Sequence, residues 1–141
     1  MKTLKSLLAG IILLFICVAA NASVKPVAGS LSKDDVIKIY IDAIAHGQTE
    51  NLGAALDNYL QYETKRGDDV TTFTKEQLID YLKNNGAPSE SVTTNTLVFS
   101  DDEKSSVVKV EFKYNDFVRT DLITLSKSKG WKITKIESSF K

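Results

Sequence analysis

The chain has 141 residues, 18 basic and 18 acidic side chains, zero formal net charge and 43% hydrophobic residues, the scale of one small folded domain. Charges of both signs are interspersed, so there is no basic footprint for a phosphate backbone and nucleic acid is not an expected partner. One cysteine, Cys17, and one histidine, His46, exclude a disulfide framework and a multi-histidine metal centre within a single chain. With no clustered carboxylates either, no metal and no cofactor are expected.

The first 22 residues read as an export signal. Lys2 and Lys5 precede the apolar run Leu7 to Ala20, and Ala20-Asn21-Ala22 offers small residues for cleavage after Ala22. That run would rise only about 21 Å as a helix, short of a hydrocarbon core of roughly 30 Å, so no stable membrane anchor is expected after cleavage. Ile16 before Cys17 is too bulky for lipoprotein processing. Removal of the signal takes Lys2, Lys5 and Cys17 with it, leaving a net charge of −2 and a protein that is periplasmic or secreted. Residues 23–31, with Pro26 and Gly29, read as a flexible leader, and residues 32–141 as the domain.

Ser32 with Asp35 predicts a helix cap, with Asp34 and Asp35 in the first turn. Val36, Ile37, Tyr40, Ile41, Ala43 and Ile44 share one arc of that helix, and Gly47 closes it. A short second helix is predicted from Glu50 to about Leu56, capped by Thr49 and burying Leu52, Ala55 and Leu56. Leu60–Arg66 and Val70–Phe73 then form a hairpin around the turn Gly67-Asp68-Asp69. Thr74 with Gln77 makes a capping box for a third helix carrying Leu78, Ile79, Tyr81 and Leu82, ended at Asn84-Asn85-Gly86.

Beyond Ser91 the period becomes two: Val108, Val110, Phe112 and Tyr114 alternate with Lys109, Glu111 and Lys113. Strands at 91–100, 117–126 and 131–140 surround that one, and their short connections imply an antiparallel meander. The fold class is therefore α+β, with three N-terminal helices covering one face of an antiparallel sheet.

The element order resembles the nuclear-transport-factor-2-like superfamily, cone-shaped or cystatin-like domains, and especially its secreted bacterial, lumazine-binding-like branch. The matching residues are Ala45-His46-Gly47 before the helix of Leu52 and Leu56, the hairpin leading to the Thr74 helix, and Asp121-Leu122-Ile123-Thr124-Leu125 followed by Gly130-Trp131-Lys132-Ile133. The resemblance covers residues 32–140 and implies a cone that holds a ligand, an acid or base beside a tyrosine in catalytic members, and dimers through the outer sheet face. The superfamily hosts isomerases, dehydratases, ligand binders and interaction modules, so the fold does not choose among them.

His46 falls at the polar edge of its helix end and reads as a surface or capping residue. Period-two spacing sets Asp121 with Phe117, Arg119, Ile123 and Leu125 on one face, so its carboxylate looks into the cone. There it needs a partner, Arg119 or the hydroxyl of Tyr40, Tyr62, Tyr81 or Tyr114. Pairing with Arg119 would make it a structural ion pair; isolation beside a tyrosine would make it an acid or base. Candidate ligand-binding residues are Tyr40, Tyr62, Tyr81, Phe112, Tyr114, Arg119, Asp121 and Trp131. The preferred function is an exported non-catalytic domain that binds a small apolar or aromatic ligand, or a protein partner, with no catalytic residue. The alternative is an isomerase- or dehydratase-like enzyme using Asp121 with Tyr114 as a tyrosine partner. A homodimer would form through the outer sheet face, where Val107, Val118 and Leu122 lie.

Overall fold

The computed structural model describes residues 30–88 and 90–141. The expected signal and all but the last two residues of the expected leader lie outside the described residues. Helix α1 (Lys33–His46) starts at a complete Ser32/Asp35 capping box and ends at Gly47 in the left-handed conformation. Its buried face is Val36, Ile39, Tyr40, Ala43, Ile44 and Ala45, with Ile37 and Ile41 packed at the edge. Leu31, just before the cap, is already buried, and its carbonyl accepts from the Trp131 N–H at 3.2 Å.

The second helix is shorter than predicted. Helix α2 is only Leu52–Ala55, its N-cap is Asn51 rather than Thr49, and Leu56 already belongs to a strand. Leu56 is held there by register with Ile133, so sheet pairing outweighs local helical spacing. Strands β1 (Leu56–Arg66) and β2 (Asp69–Phe73) form the hairpin across a two-residue turn, with Gly67 at φ 60. Helix α3 (Lys75–Asn85) begins at the Thr74/Gln77 capping box and buries Leu78 and Leu82, while Tyr81 is 53% exposed.

Strands β3 (Thr93–Asp101), β4 (Ser105–Lys113), β5 (Val118–Lys127) and β6 (Trp131–Phe140) form the antiparallel meander. The sheet is not wholly antiparallel, however. Its order is β2-β1-β6-β5-β4-β3, and β1 runs parallel to β6, so the hairpin extends the meander into one curved, six-stranded mixed sheet. Tyr114 lies just past the end of β4, and β3 is an edge strand exposed throughout.

The inner face carries Val108, Val110 and Phe112 from β4, Ile123 and Leu125 from β5, and Ile133 and Ile136 from β6. Ile133 and Ile136 are three residues apart, yet both are fully buried. The register shift between Thr124 and Leu125 absorbs Thr134 as an extra residue, and such bulges also add bend to a sheet. Each fully buried aliphatic side chain in this layer contributes about 1.5–3 kcal/mol of burial. The helices supply the opposite layer, tied at their ends by Lys75 Nζ donating to the Leu56 carbonyl and Lys132 Nζ to the Ala54 carbonyl. Among the described residues no helix is long and apolar enough to cross a membrane.

Gly47 is constrained twice. At φ 68, a Cβ there would also lie 2.7 Å from the Ala87 backbone nitrogen, whereas a Cβ on Gly67 at φ 60 meets nothing within 4 Å. Gly67→Ala should lose about 1–2 kcal/mol from left-handed strain alone, and Gly47→Ala at least about 1 kcal/mol more from overpacking. Urea midpoints at constant m-value check the difference.

Candidate functional site

The β1–β2 turn fixes cross-strand partners Arg66↔Asp69, Thr64↔Thr71 and Tyr62↔Phe73. Side chains two apart share a face, so these three pairs form three rows on the inner side of the hairpin. They make one wall of a cavity of about 480 Å³, graded from charged at the rim to aromatic in depth. Leu78 and Tyr81 of α3, Tyr114 and Phe117 from the β4–β5 turn, and Arg119 and Phe140 from β5 and β6 complete it. The Tyr114 and Phe117 rings stack at 4.3 Å and 13°. Tyr62 and Phe73 lie 5.4 Å apart, and the Arg66 guanidinium covers the Phe140 ring at 4.6 Å. Aromatic side chains thus line the space on several sides.

Beneath the floor lies a buried polar cluster. Asp121 is fully buried, and Arg119 Nε donates to Oδ1 at 2.8 Å and to Oδ2 at 3.1 Å. The Tyr40 hydroxyl donates to Oδ2 at 2.7 Å, and the Ser138 hydroxyl to Oδ1 at 2.6 Å. Arg119 Nη2 in turn donates to the oxygens of Tyr40 and Tyr62, both at 3.1 Å, and to Ser138 at 3.3 Å. Sheet register brings these groups together: Asp121 pairs with Ser138, Arg119 with Phe140, and Tyr62 sits beside Ile136. Tyr40 descends onto them from α1. Among the described residues no buried side-chain nitrogen or oxygen lacks a partner.

Burial raises the Tyr40 pKa well above its ordinary value, and the neighbouring Asp121 charge reinforces this. Burial also raises those of Tyr62 and of the more exposed Tyr114. For Arg119 burial works downward, but the charge of Asp121, helped by Tyr40 and Tyr62, more than offsets it and holds the guanidinium's pKa well above its usual value. Arg119 and Asp121 are a compensated pair.

Of the residues singled out in the sequence, Tyr62, Tyr81, Tyr114 and Arg119 line the cavity. Tyr40 and Asp121 lie in the cluster below it. Phe112 is fully buried in the core, with the Arg119 guanidinium 5.7 Å from its ring, and Trp131 is buried elsewhere, with Lys33 Nζ 4.9 Å from its ring. Neither of these two borders the cavity. His46 is exposed in the last turn of α1. The candidate ligand-binding residues read from the sequence omit Thr64, Arg66, Asp69 and Thr71, and also Leu78 and the aromatic residues Phe73, Phe117 and Phe140. The hairpin register held the signal for most of them.

A family model described as "Putative lumazine-binding" matches residues 33–136. No curated protein sequence matches the chain. Among solved structures, an NTF2-like protein of unknown function from Shewanella baltica OS155 superposes with a TM-score of 0.67 at 14% identity, over 77% of this chain and 90% of that one. An NTF2-like protein of unknown function from Methylobacillus flagellatus KT gives 0.60 at 21% identity, over 81% and 99%. A cystatin-like fold protein from Burkholderia xenovorans LB400 gives 0.61 at 16% identity, over 76% and 87%. At these identities the likeness is one of fold.

Asp121→Ala should cost about 3–5 kcal/mol, because it strands the Arg119 charge. The double variant Arg119→Met/Asp121→Leu should be less destabilised than Asp121→Ala, as measured by urea denaturation. A second expectation concerns alkaline pH. Tyr40 has a raised folded-state pKa, so the stability it contributes is fully present below about pH 10, the ordinary tyrosine value, and is lost as pH rises through the folded value. Thermal melts across that range should show stability falling with pH, and Tyr40→Phe should reduce the slope.

Proposed function

The chain belongs to the putative lumazine-binding family of the nuclear-transport-factor-2-like superfamily, and on that premise we propose that it is an exported, non-catalytic domain that holds a small flat aromatic molecule in its cavity. The observation that carries this reading is the pairing of an open, aromatic-walled space with a carboxylate that cannot act in it. A cavity of about 480 Å³ lies within the range that small ligands occupy. Its rings offer stacking surfaces, worth about 0.5–1.5 kcal/mol each beyond their burial.

Asp121 is the side chain on which an enzymatic reading would depend. It is sealed under the floor, and both its oxygens are engaged by Tyr40, Arg119 and Ser138. An acid or base must come within hydrogen-bond reach of its substrate. Tyr114, its suggested partner in that alternative, instead stacks on Phe117 at the cavity wall. The ion pair with Arg119 therefore favours binding over catalysis.

The outer sheet face supports self-association as a second reading. Leu97 is 51% and Phe99 57% exposed on the edge strand, and Leu97 continues through register with Lys109 to Leu122. Together with Val107 and Val118 they would give a second copy an apolar surface to cover.

Native mass spectrometry of the mature chain from Ser23, purified from its producing cells, should show an extra mass of a few hundred daltons that denaturing spray removes. The same spectrum reads monomer against dimer. Calorimetric titration with lumazine should give saturable binding, weakened about tenfold by Phe117→Ala. An unliganded mass together with no heat from lumazine would overturn the reading.

A further inference from the structure

The hydrogen bonds of the buried cluster leave two donors for the cavity. Arg119 spends Nε on Asp121 and Nη2 on Tyr40, Tyr62 and Ser138. Nη1 donates to no group among the described residues, and no buried side-chain nitrogen there lacks a partner. The nitrogen is therefore accessible, and the space Arg119 borders is the cavity.

The second donor is the Tyr62 hydroxyl. Its oxygen accepts from Arg119 Nη2 at 3.1 Å and lies 3.3 Å from Ser138 Oγ. Ser138 has one hydroxyl proton, and its shortest contact, 2.6 Å, is to Asp121 Oδ1. With that proton on Asp121, the Tyr62 proton has either the long contact to Ser138 or an acceptor in the cavity that Tyr62 lines. Tyr62 and Arg119 thus present neighbouring donors at one end of an otherwise aromatic space.

Charge decides which acceptor suits them. At the floor the charge of Arg119 is compensated by Asp121, while Arg66 lies at the exposed rim over the Phe140 ring, with Asp69 as its cross-strand neighbour. A carboxylate seated at the floor would be desolvated beside Asp121, and the one guanidinium within reach there is already paired. A wholly apolar ring would strip water from two donors and return nothing. A neutral oxygen acceptor meets both demands.

We infer that the cavity selects a flat, neutral ligand bearing a carbonyl oxygen, received jointly by the Tyr62 hydroxyl and Arg119 Nη1. This rests on the reading of the cavity as a ligand site and specifies the ligand's chemical class. The selectivity lies in the floor, while the walls accept any ring of suitable size.

The test uses three bicyclic probes of similar size: coumarin with a neutral carbonyl, naphthalene with no acceptor, and 2-naphthoate with a charged one. Competitive titration of the mature chain should rank coumarin first by about tenfold, the worth of two net hydrogen bonds. Tyr62→Phe should reduce that preference to about threefold or less, by weakening coumarin and relieving the cost naphthalene pays at the floor. The infrared carbonyl stretch of coumarin bound to the unmodified protein should shift to lower frequency, a readout that does not depend on how the variant folds. Equal binding of coumarin and naphthalene, tighter binding of 2-naphthoate, or an unshifted carbonyl would overturn this inference and leave the cavity as a ligand site. Failure of all three probes to bind would overturn this inference, and together with an unliganded mass and no heat from lumazine it would overturn the cavity reading as well.

Discussion

The buried ion pair between Arg119 and Asp121 is the constraint around which the rest of the structure is arranged. Taking two charges out of water costs several kcal/mol per ion, and mutual attraction repays that only when the remaining donors and acceptors are also matched. Here those of the carboxylate, of Arg119 Nε and of Nη2 are matched by side chains from four elements: Tyr40 from α1, Tyr62 from β1, Arg119 and Asp121 from β5, and Ser138 from β6. The parallel pairing of β1 with β6 is what puts Tyr62 within reach, and Tyr40 reaches the cluster only if α1 lies across the inner sheet face. A shift of either element by one residue would leave a charged or hydroxyl group buried without a partner. The cluster thus penalises alternative packings more than it stabilises the correct one relative to an apolar core.

The same cluster divides the interior into two compartments. On one side Phe112, Ile123, Ile133 and Ile136 form a filled core; on the other, the β1–β2 hairpin and the β4–β5 turn hold their rings around open space. Arg119 belongs to both, since its ring contacts include Phe112 at 5.7 Å and Phe140 at 5.9 Å. Its anchoring by Asp121 fixes the guanidinium before any ligand arrives, so binding need not order a long, flexible side chain.

Most elements can be read from the chain because their signals are local. The Ser32 and Thr74 capping boxes, the left-handed Gly47 and the alternation of β4 and β5 all depend on a few neighbouring residues. Asp121 and Arg119 can be placed on one inward face for the same reason. The cavity wall cannot, because it depends on the length of one turn. Reading Gly67-Asp68-Asp69 as a three-residue loop starts β2 at Val70, whereas the two-residue turn pairs Arg66 with Asp69. That single residue changes which side chains of β2 face inward, bringing Asp69, Thr71 and Phe73 into the wall and leaving Val70 exposed. Residue type alone draws Trp131 and Phe112 toward the site, yet size and hydrophobicity suit a core position as well as a cavity wall.

Asp121 shows why the identity of a residue does not settle its chemistry. An aspartate on an inward sheet face with tyrosines nearby fits both an acid–base site and a structural anchor, and the two differ only in where its oxygens are spent. In this chain Tyr40, Arg119 and Ser138 use both oxygens, and the chemistry that reaches the cavity is that of the donors left over on Arg119 and Tyr62. The carboxylate's influence is therefore indirect: it cancels the charge of Arg119, orients it, and accepts the Ser138 proton that would otherwise compete for the Tyr62 oxygen. A fold shared at 14–21% identity can preserve the cone while such a cluster is rewired. Which groups remain uncommitted at the floor, rather than the shape of the cone, determines what it can recognise.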